Sequence, residues 1–276
     1  MSSAAKSIPT TTLELNTTKM IAEISDGIGW VTFNNPERLN AISMEMTEAI
    51  PVIFDHFQRS DDVRVVVLKG AGDRAFVSGA DISEFEKNRS SADVRKVYDE
   101  SSKNAAAAML ALDKPMIAMI QGYCIGGGLM MALRADMRIA SDGSQFAIPA
   151  ARLGLGYGYG GVVGLVDLVG PAYANEILFT ARRFQSDEAL RIGLVNRVVS
   201  PDALEQTVRE VAATIVGNAP LTIRAAKYAI RQTLVDESAR DMDQIAQFVE
   251  ECFQSEDYIE GRRAFMEKRP AAFKGR

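Results

Sequence analysis

The sequence is poor in histidine, cysteine and tryptophan, with one His, two Cys and one Trp in 276 residues. Cys124 and Cys252 alone cannot build a disulfide framework, and so sparse a use of cysteine points to a reducing compartment, so a cytoplasmic location is expected. A single His56 excludes His-rich metal sites and makes any Ser–His–Asp triad depend on one residue. It sits among Ile53, Phe54 and Phe57 on an amphipathic stretch, where a structural place at the core edge is expected. No uninterrupted apolar run reaches the roughly 18 residues of a membrane span, so none is expected. Basic residues number 31 and acidic 36, a net charge of −5 that does not favour nucleic acid through global charge. The first nineteen residues have little apolar clustering, no h-region of a secretory signal and none of the arginines of a transit peptide. A disordered tail is expected over 1–19.

What the chain does contain is 47% hydrophobic and 24% charged residues, an ordinary globular composition that can bury a sizeable core. Met20–Ile24, a turn at Asp26–Gly27 and Ile28–Phe33 read as a hairpin. Ser43 is placed to cap a helix from Met44 to Gln58, with Met46, Ile50, Ile53, Phe54 and Phe57 on its apolar face. Val63–Leu68 reads as a buried strand, and others are expected at Met116–Ile120, after a long helix over about 91–112, and near Met137–Ala140. Strands alternating with helices argue for an α/β core. Beyond Val195–Val199 no strand pattern remains: helices are expected over about 202–217, 220–233, 241–254 and 256–267. The expected organisation is therefore a tail at 1–19, a core over 20–200 and a helical subdomain over 201–276. No internal sequence repeat is visible.

Three glycine-bearing segments stand out: Gly79-Ala80-Asp81-Ile82, Gly126-Gly127-Gly128 after an apolar strand, and Gly154-Leu155-Gly156-Tyr157-Gly158-Tyr159-Gly160-Gly161. The triple glycine runs into a helix-compatible stretch. It reads equally as a tight turn needing positive φ and as a set of free N–H donors for an anion or a developing oxyanion. The third segment contains G-x-G-x-x-G at Gly156–Gly161, but Pro149-Ala150-Ala151-Arg152 before it is no buried strand, which argues against a dinucleotide fingerprint. No P-loop motif occurs.

These segments, with Asn34-Asn35-Pro36-Glu37-Arg38-Leu39-Asn40-Ala41, Lys114-Pro115, Ala189–Asn196 and Glu256–Gly261 through Glu267-Lys268-Arg269, resemble the crotonase (enoyl-CoA hydratase/isomerase) superfamily. The resemblance runs from about residue 20 to the C-terminus. It implies an α/β spiral of ββα units with an all-helical C-terminal trimerisation region, assembled as a homotrimer or a dimer of trimers. It also implies an acyl-CoA thioester substrate, coenzyme A entering as part of that substrate, with no separate cofactor and no metal. The backbone N–H groups of Ala80 and Gly127 would form an oxyanion hole for the thioester carbonyl. Arg38, Ala41, Ala80, Asp81 and Ile82 would line the path of CoA. The last sixteen residues carry six basic side chains against Glu267. Phe273 and Lys274 are the expected CoA contacts among them, although a solvated basic helix end explains part of this charge.

The departures from the family pattern concern the proton carriers. Family hydratases place glutamates where this chain has Met130 and Ala150, and some members place an aspartate where it has Gly158. None of these three can exchange a proton, so ordinary hydration is doubtful. Tyr157 falls where a methylmalonyl-CoA decarboxylase of the superfamily carries a tyrosine, so a decarboxylase-like role is open, as is simple packing of Tyr157 and Tyr159. The two functional readings are an acyl-CoA enzyme, lyase or isomerase, and a non-catalytic acyl-CoA-binding protein on the same fold.

Overall fold

The computed structural model describes residues 10–81 and 92–276. β2 (Met20–Ser25) and β3 (Ile28–Phe33) form the hairpin, turned by Asp26 and Gly27 at φ 53° and 79°. Positive φ at both turn residues matches the right-handed twist of the strands and suits Asp-Gly. Over residues 10–19 the structure corrects the expected tail. β1 (Thr11–Thr12) pairs antiparallel with β2, and the Leu13 N–H donates to the Ala22 carbonyl. Alternation explains this edge: Leu13 and Leu15 turn inward against the core while Thr12 and Glu14 face solvent.

From β4 to β9 the chain deals its strands alternately into two sheets. β4 (Val65–Gly70), β6 (Met116–Ile120), β8 (Met137–Ser141) and β11 (Arg197–Val199) extend a seven-stranded sheet of order β1-β2-β3-β4-β6-β8-β11. β5 (Ala75–Val77), β7 (Tyr123–Ile125), β9 (Gln145–Ala147) and β10 (Phe184–Gln185) form a four-stranded sheet of order β10-β9-β7-β5. Each pair β4–β5, β6–β7 and β8–β9 is one turn of a spiral. Helices follow on the outside: α1 (Met44–Arg59) after β3, α2 (Ala92–Ala111) after β5, α3 (Gly127–Ala132) after β7 and α4 (Tyr159–Thr180) after β9. The repeat lies in the backbone and leaves no repeat in the sequence.

The main core packs Phe33, Met46, Ile53, Phe54, Phe57, Phe76, Leu129 and Phe146. On the other face of the large sheet, Ile28, Trp30, Val65, Val67 and Ile117 pack against Leu204, Val208 and Ala212 of a later helix (Pro201–Val216). Burial on both faces is why β3 and β4 read as continuous apolar runs. His56 corrects the expectation of a core-edge residue. The stripe Ile53, Phe54, Phe57 is buried, while His56 and its neighbour Asp55 turn to solvent.

By length and composition α4 is apolar enough to cross a membrane, with a mean hydropathy of 1.4. Gly170, at φ 73° and ψ 166°, breaks it before Pro171, and Leu165, Val169, Ala174 and Ile177 are buried in the protein. Each half is about 11 residues, near 16 Å, well short of the ~30 Å of a bilayer core.

After α5 (Ser186–Arg191) and α6 (Pro201–Val216), the chain ends in α7 (Pro220–Thr233), α8 (Met242–Gln254) and α9 (Glu256–Glu267). Buried Lys227 on α7 ties them to the sheet, donating to the Lys114 carbonyl at 2.6 Å and to Asp136 at 2.8 Å.

Candidate functional site

β5 and β7 run parallel, with Val77 opposite Cys124, so the turns that follow them emerge side by side. Both turns need glycine. Gly79 and Gly126 have φ of 119° and 54°, backbone that favours glycine. A Cβ on Gly128 would stand 2.1 Å from the Val77 carbonyl oxygen, so only a hydrogen fits between the turn and β5. The close approach sets Gly127 against Ala80: a Cβ on Gly127 would lie 3.7 Å from the Ala80 nitrogen. Ile42 uses its N–H and carbonyl on Gly79 and Asp81, and Gly126 N–H is bound to Ala147. The N–H groups of Ala80 and Gly127 make no hydrogen bond among the described residues. Two adjacent donors, both half-exposed, are thus left pointing at no protein acceptor.

The loop from Asn35 to Ile42 is laced along this turn. Ser78 N–H donates to the Leu39 carbonyl at 3.1 Å, Ile42 N–H to Gly79 at 2.8 Å and Asp81 N–H to Ile42 at 2.9 Å. That lacing places Arg38 and Ala41 beside Ala80 and Asp81, with the Arg38 side chain exposed and Ala41 buried. Asn40 holds the loop in its left-handed bend (φ 56°). Its buried amide donates to the Ala75 and Ala71 carbonyls at 2.7 and 3.0 Å, and its oxygen accepts from Asn35 N–H at 3.0 Å. The motif containing Asn40 was visible in the sequence; its role as the clamp was not. Ile82 lies outside the described residues.

The two positions expected for proton carriers flank the same turn. Met130 is half-buried against the core, with its N–H on the Gly126 carbonyl and its own carbonyl accepting from Arg134 at 2.7 Å. Ala150 is buried in the 3-10 turn Pro149–Leu153. The ring of Pro149 comes 3.8 Å from where a Gly126 Cβ would be. Beneath the turn, burial pushes the Cys124 thiol up, so it stays protonated and inert.

In the Tyr157 loop the glycine with positive φ is Gly154, at 63°. Gly158 is the extended cap of α4, and Tyr159 is already helical and 84% exposed. Tyr157 is half-buried against the core, its ring lying over Gly161. Phe273 and Lys274 are also not where one shared pocket would put them. Arg64, just before β4, donates to the Phe273 carbonyl at 3.3 Å, and Lys274 N–H donates to Asp257 at 2.6 Å. Asn40 and the Ala80 turn sit at the other end of β4, roughly 20 Å along the strand. Within one chain these two groups are apart.

The spiral and this pair of turns define a class, and comparisons with known proteins identify it. Residues 23–276 match the sequence profile of the enoyl-CoA hydratase/isomerase family. A short-chain-enoyl-CoA hydratase of Clostridium acetobutylicum is 37% identical, covering 93% of this chain and 97% of its own. A carnitinyl-CoA dehydratase of Citrobacter koseri is 38% identical over 89% of this chain and 94% of its own. The crystal structure of an enoyl-CoA hydratase/carnithine racemase from Magnetospirillum magneticum superposes with a TM-score of 0.89, at 32% identity, over 95% of this chain and 97% of that one. The chain belongs to the enoyl-CoA hydratase/isomerase family, and its fold is the crotonase fold.

Proposed function

We propose that the protein is an enzyme that binds an acyl-CoA thioester and stabilises an enolate on the thioester oxygen with the N–H groups of Ala80 and Gly127. The observation that carries this is the pair itself: two backbone donors held side by side by Gly79, Gly126 and Gly128, with no protein acceptor among the described residues. Donors fixed before the reaction spend nothing on reorganisation as charge moves onto the oxygen, and losing one such donor typically costs about 3 kcal/mol. Arg38, Ala41 and Asp81 run alongside and suit the CoA moiety. The relatives named as acting on enoyl-CoA and carnitinyl-CoA support the ligand class.

The reaction we favour is one in which the substrate supplies its own leaving charge. Met130 and Ala150 offer no general acid or base at the turn, so adding or removing water there lacks a proton carrier. A carboxylate on the α-carbon needs none to depart as CO₂, because the pair left on carbon becomes the enolate held by Ala80 and Gly127, which then takes a proton from solvent at the α-carbon. Tyr157, half-buried near α4, would orient that carboxylate through its phenol. The test is a turnover panel of malonyl-, methylmalonyl- and crotonyl-CoA with the parent and with Tyr157→Phe. Decarboxylation by the parent, reduced about 10²-fold in the variant with CoA affinity unchanged, supports this reading. An inactive parent that still binds acyl-CoA leaves a binding protein instead. We propose further that the chain assembles as a trimer or a dimer of trimers. Ile230, Phe253 and Phe265 are exposed on α7, α8 and α9, and Phe273 and Lys274, roughly 20 Å from the Ala80 turn of their own chain, would serve the CoA site of a neighbouring copy. A monomer by light scattering at micromolar concentration would exclude it.

A further inference from the structure

Behind the Gly126–Gly127 turn the structure buries a charge that the proposed reaction does not yet use. Arg138 on β8 is 3% exposed. Its guanidinium is held by backbone alone: Nε donates to the Leu194 carbonyl at 2.7 Å, and Nη1 to Ala135 at 2.6 Å and Ala132 at 3.5 Å. No carboxylate lies within ion-pair distance of it among the described residues. The nearest acid in sequence, Asp136, binds Lys227 at 2.8 Å and the Met116 N–H at 2.7 Å, and acts on Arg138 only through space. The contact of Arg138 with the Ala132 carbonyl places the charge at the C-terminal end of α3, the helix whose first residue is Gly127. Arg134 adds a second cation of the same sign, binding the Met130 carbonyl at 2.7 Å. Burying a cation with no counter-ion in contact is costly, and a neutral residue would fill the space more cheaply.

We propose that Arg138 is an electrostatic positioning residue for the Ala80–Gly127 pair. It pins the Ala132 end of α3, and it supplies a positive charge with no carboxylate in contact, offset through space by Asp136, behind the oxygen that those two N–H groups receive. This rests on the oxyanion reading above. α3 rises about 1.5 Å per residue, so the guanidinium stands roughly 10 Å from Gly127 N–H. A unit charge at that distance, in a medium of effective dielectric about 20, changes the stability of a developing oxyanion by at most roughly tenfold, less the part that Asp136 offsets. A carboxylate in contact with the guanidinium would cancel far more of that field, which gives a reason for satisfying Arg138 through carbonyls.

The experiment compares the parent with Arg138→Met, Arg138→Gln and Arg138→Lys, each loaded with butyryl-CoA carrying a ¹³C thioester carbonyl. The readouts are affinity, the infrared stretch of that carbonyl, and turnover of whichever acyl-CoA the parent consumes. Expected are affinities within about twofold, a carbonyl stretch in the two neutral variants that moves back toward its value in water, and turnover slower by up to roughly tenfold. Arg138→Lys keeps the charge and therefore most of the carbonyl shift, even though it loses the fork to Leu194 and Ala135 and melts earlier. A stretch in the neutral variants identical to the parent's, whatever their melting temperature, makes Arg138 a structural staple and overturns the proposal. So does failure of both neutral variants and of Arg138→Lys to fold. A parent that binds butyryl-CoA with an unshifted carbonyl overturns the oxyanion reading itself, and this inference with it.

Discussion

Gly127 and Gly128 are adjacent, yet adding one methyl to each should fail in opposite ways. At Gly128 the new carbon would lie 2.1 Å from the Val77 oxygen and 2.7 Å from the Val77 Cβ. An ordinary C···O approach is about 3.3 Å, so the turn and β5 must part by roughly 1 Å. Overpacking of that kind costs about 1–3 kcal/mol, and a 1 Å displacement of a reacting group costs about 10²-fold in rate. Gly128→Ala should therefore melt several degrees lower and also lose activity. At Gly127 the nearest atoms would be at 3.7, 3.8 and 3.9 Å, ordinary contact, and its φ is not left-handed. Replacing such a glycine removes unfolded-state freedom and stabilises by about 0.4–1 kcal/mol. The same methyl stands beside the Ala80 nitrogen and encroaches on the space an incoming oxygen would use. Gly127→Ala should melt at or above the parent's temperature and yet lose about 10²–10³-fold in kcat/KM, the scale of one missing oxyanion donor. Thermal melts with and without acyl-CoA, run beside turnover, separate the two effects. A Gly127→Ala variant that binds and turns over acyl-CoA like its parent would refute the assignment of this pair.

Three further outcomes are expected. Crotonyl-CoA hydration by the parent, followed by loss of enoyl absorbance, should be at least 10²-fold slower than in a two-glutamate relative, and Met130→Glu with Ala150→Glu should raise it; brisk hydration by the parent would place its proton carrier elsewhere. Asp257 is buried and accepts from the Lys274 and Gly275 N–H groups at 2.6 and 2.8 Å, so Asp257→Ala should cost about 1.5–3 kcal/mol and expose the C-terminal tail to carboxypeptidase; parent-like digestion and melting would contradict this. Lys114 donates to the Phe57 and Ser60 carbonyls at 2.6 Å, and burial, the dominant cause, pushes its ammonium down to about 8, with Asp61 and Asp113 opposing that shift and Arg64 adding to it. The folded state thus binds fewer protons than the unfolded chain between about pH 8 and 10.5, so the melting temperature of the parent relative to Lys114→Met should rise across that window, and a flat difference would deny the shift.

What could be read from the sequence was whatever carries its signal locally. The Asp-Gly turn, the β-branched runs of β3 and β4, and the C-terminal helices opened by Pro201 and Pro220 or capped by Ser255 all fell close to their expected places. What could not be read was set by distant partners. β5, β7 and β9 are three residues each, too short for a period, and they exist because they pair with one another. β1 needs β2 to be a strand at all. The candidate site divides the same way. The glycines announced tight backbone, but that Gly127 meets Ala80 depends on the parallel pairing of β5 with β7. Phe273 and Lys274 were grouped with Arg38 by resemblance, and Arg64 and Asp257 hold them at the far end of β4 instead.

The distribution of roles between backbone and side chain bears on which reaction such a site can run. The donor pair is backbone, so its geometry is secured by what the neighbours lack: a Cβ at Gly128, a side chain at Gly79 and Gly126. It survives any change at Met130 or Ala150, whose side chains make no hydrogen bond that holds the turn; only the Met130 main chain does. Proton carriers are the opposite case, since they are nothing but side chains at those positions. Two substitutions can therefore remove the machinery for handling water while the donor pair proposed to hold the oxyanion stays in place. What they leave is an apolar wall beside a strong donor pair, with Arg138 behind it. A carboxylate brought against that wall is poorly solvated, while the charge it becomes is well received a few ångströms away. That asymmetry, which favours the charge moving from carboxylate to thioester oxygen, is what a decarboxylation requires and what a hydration does not supply.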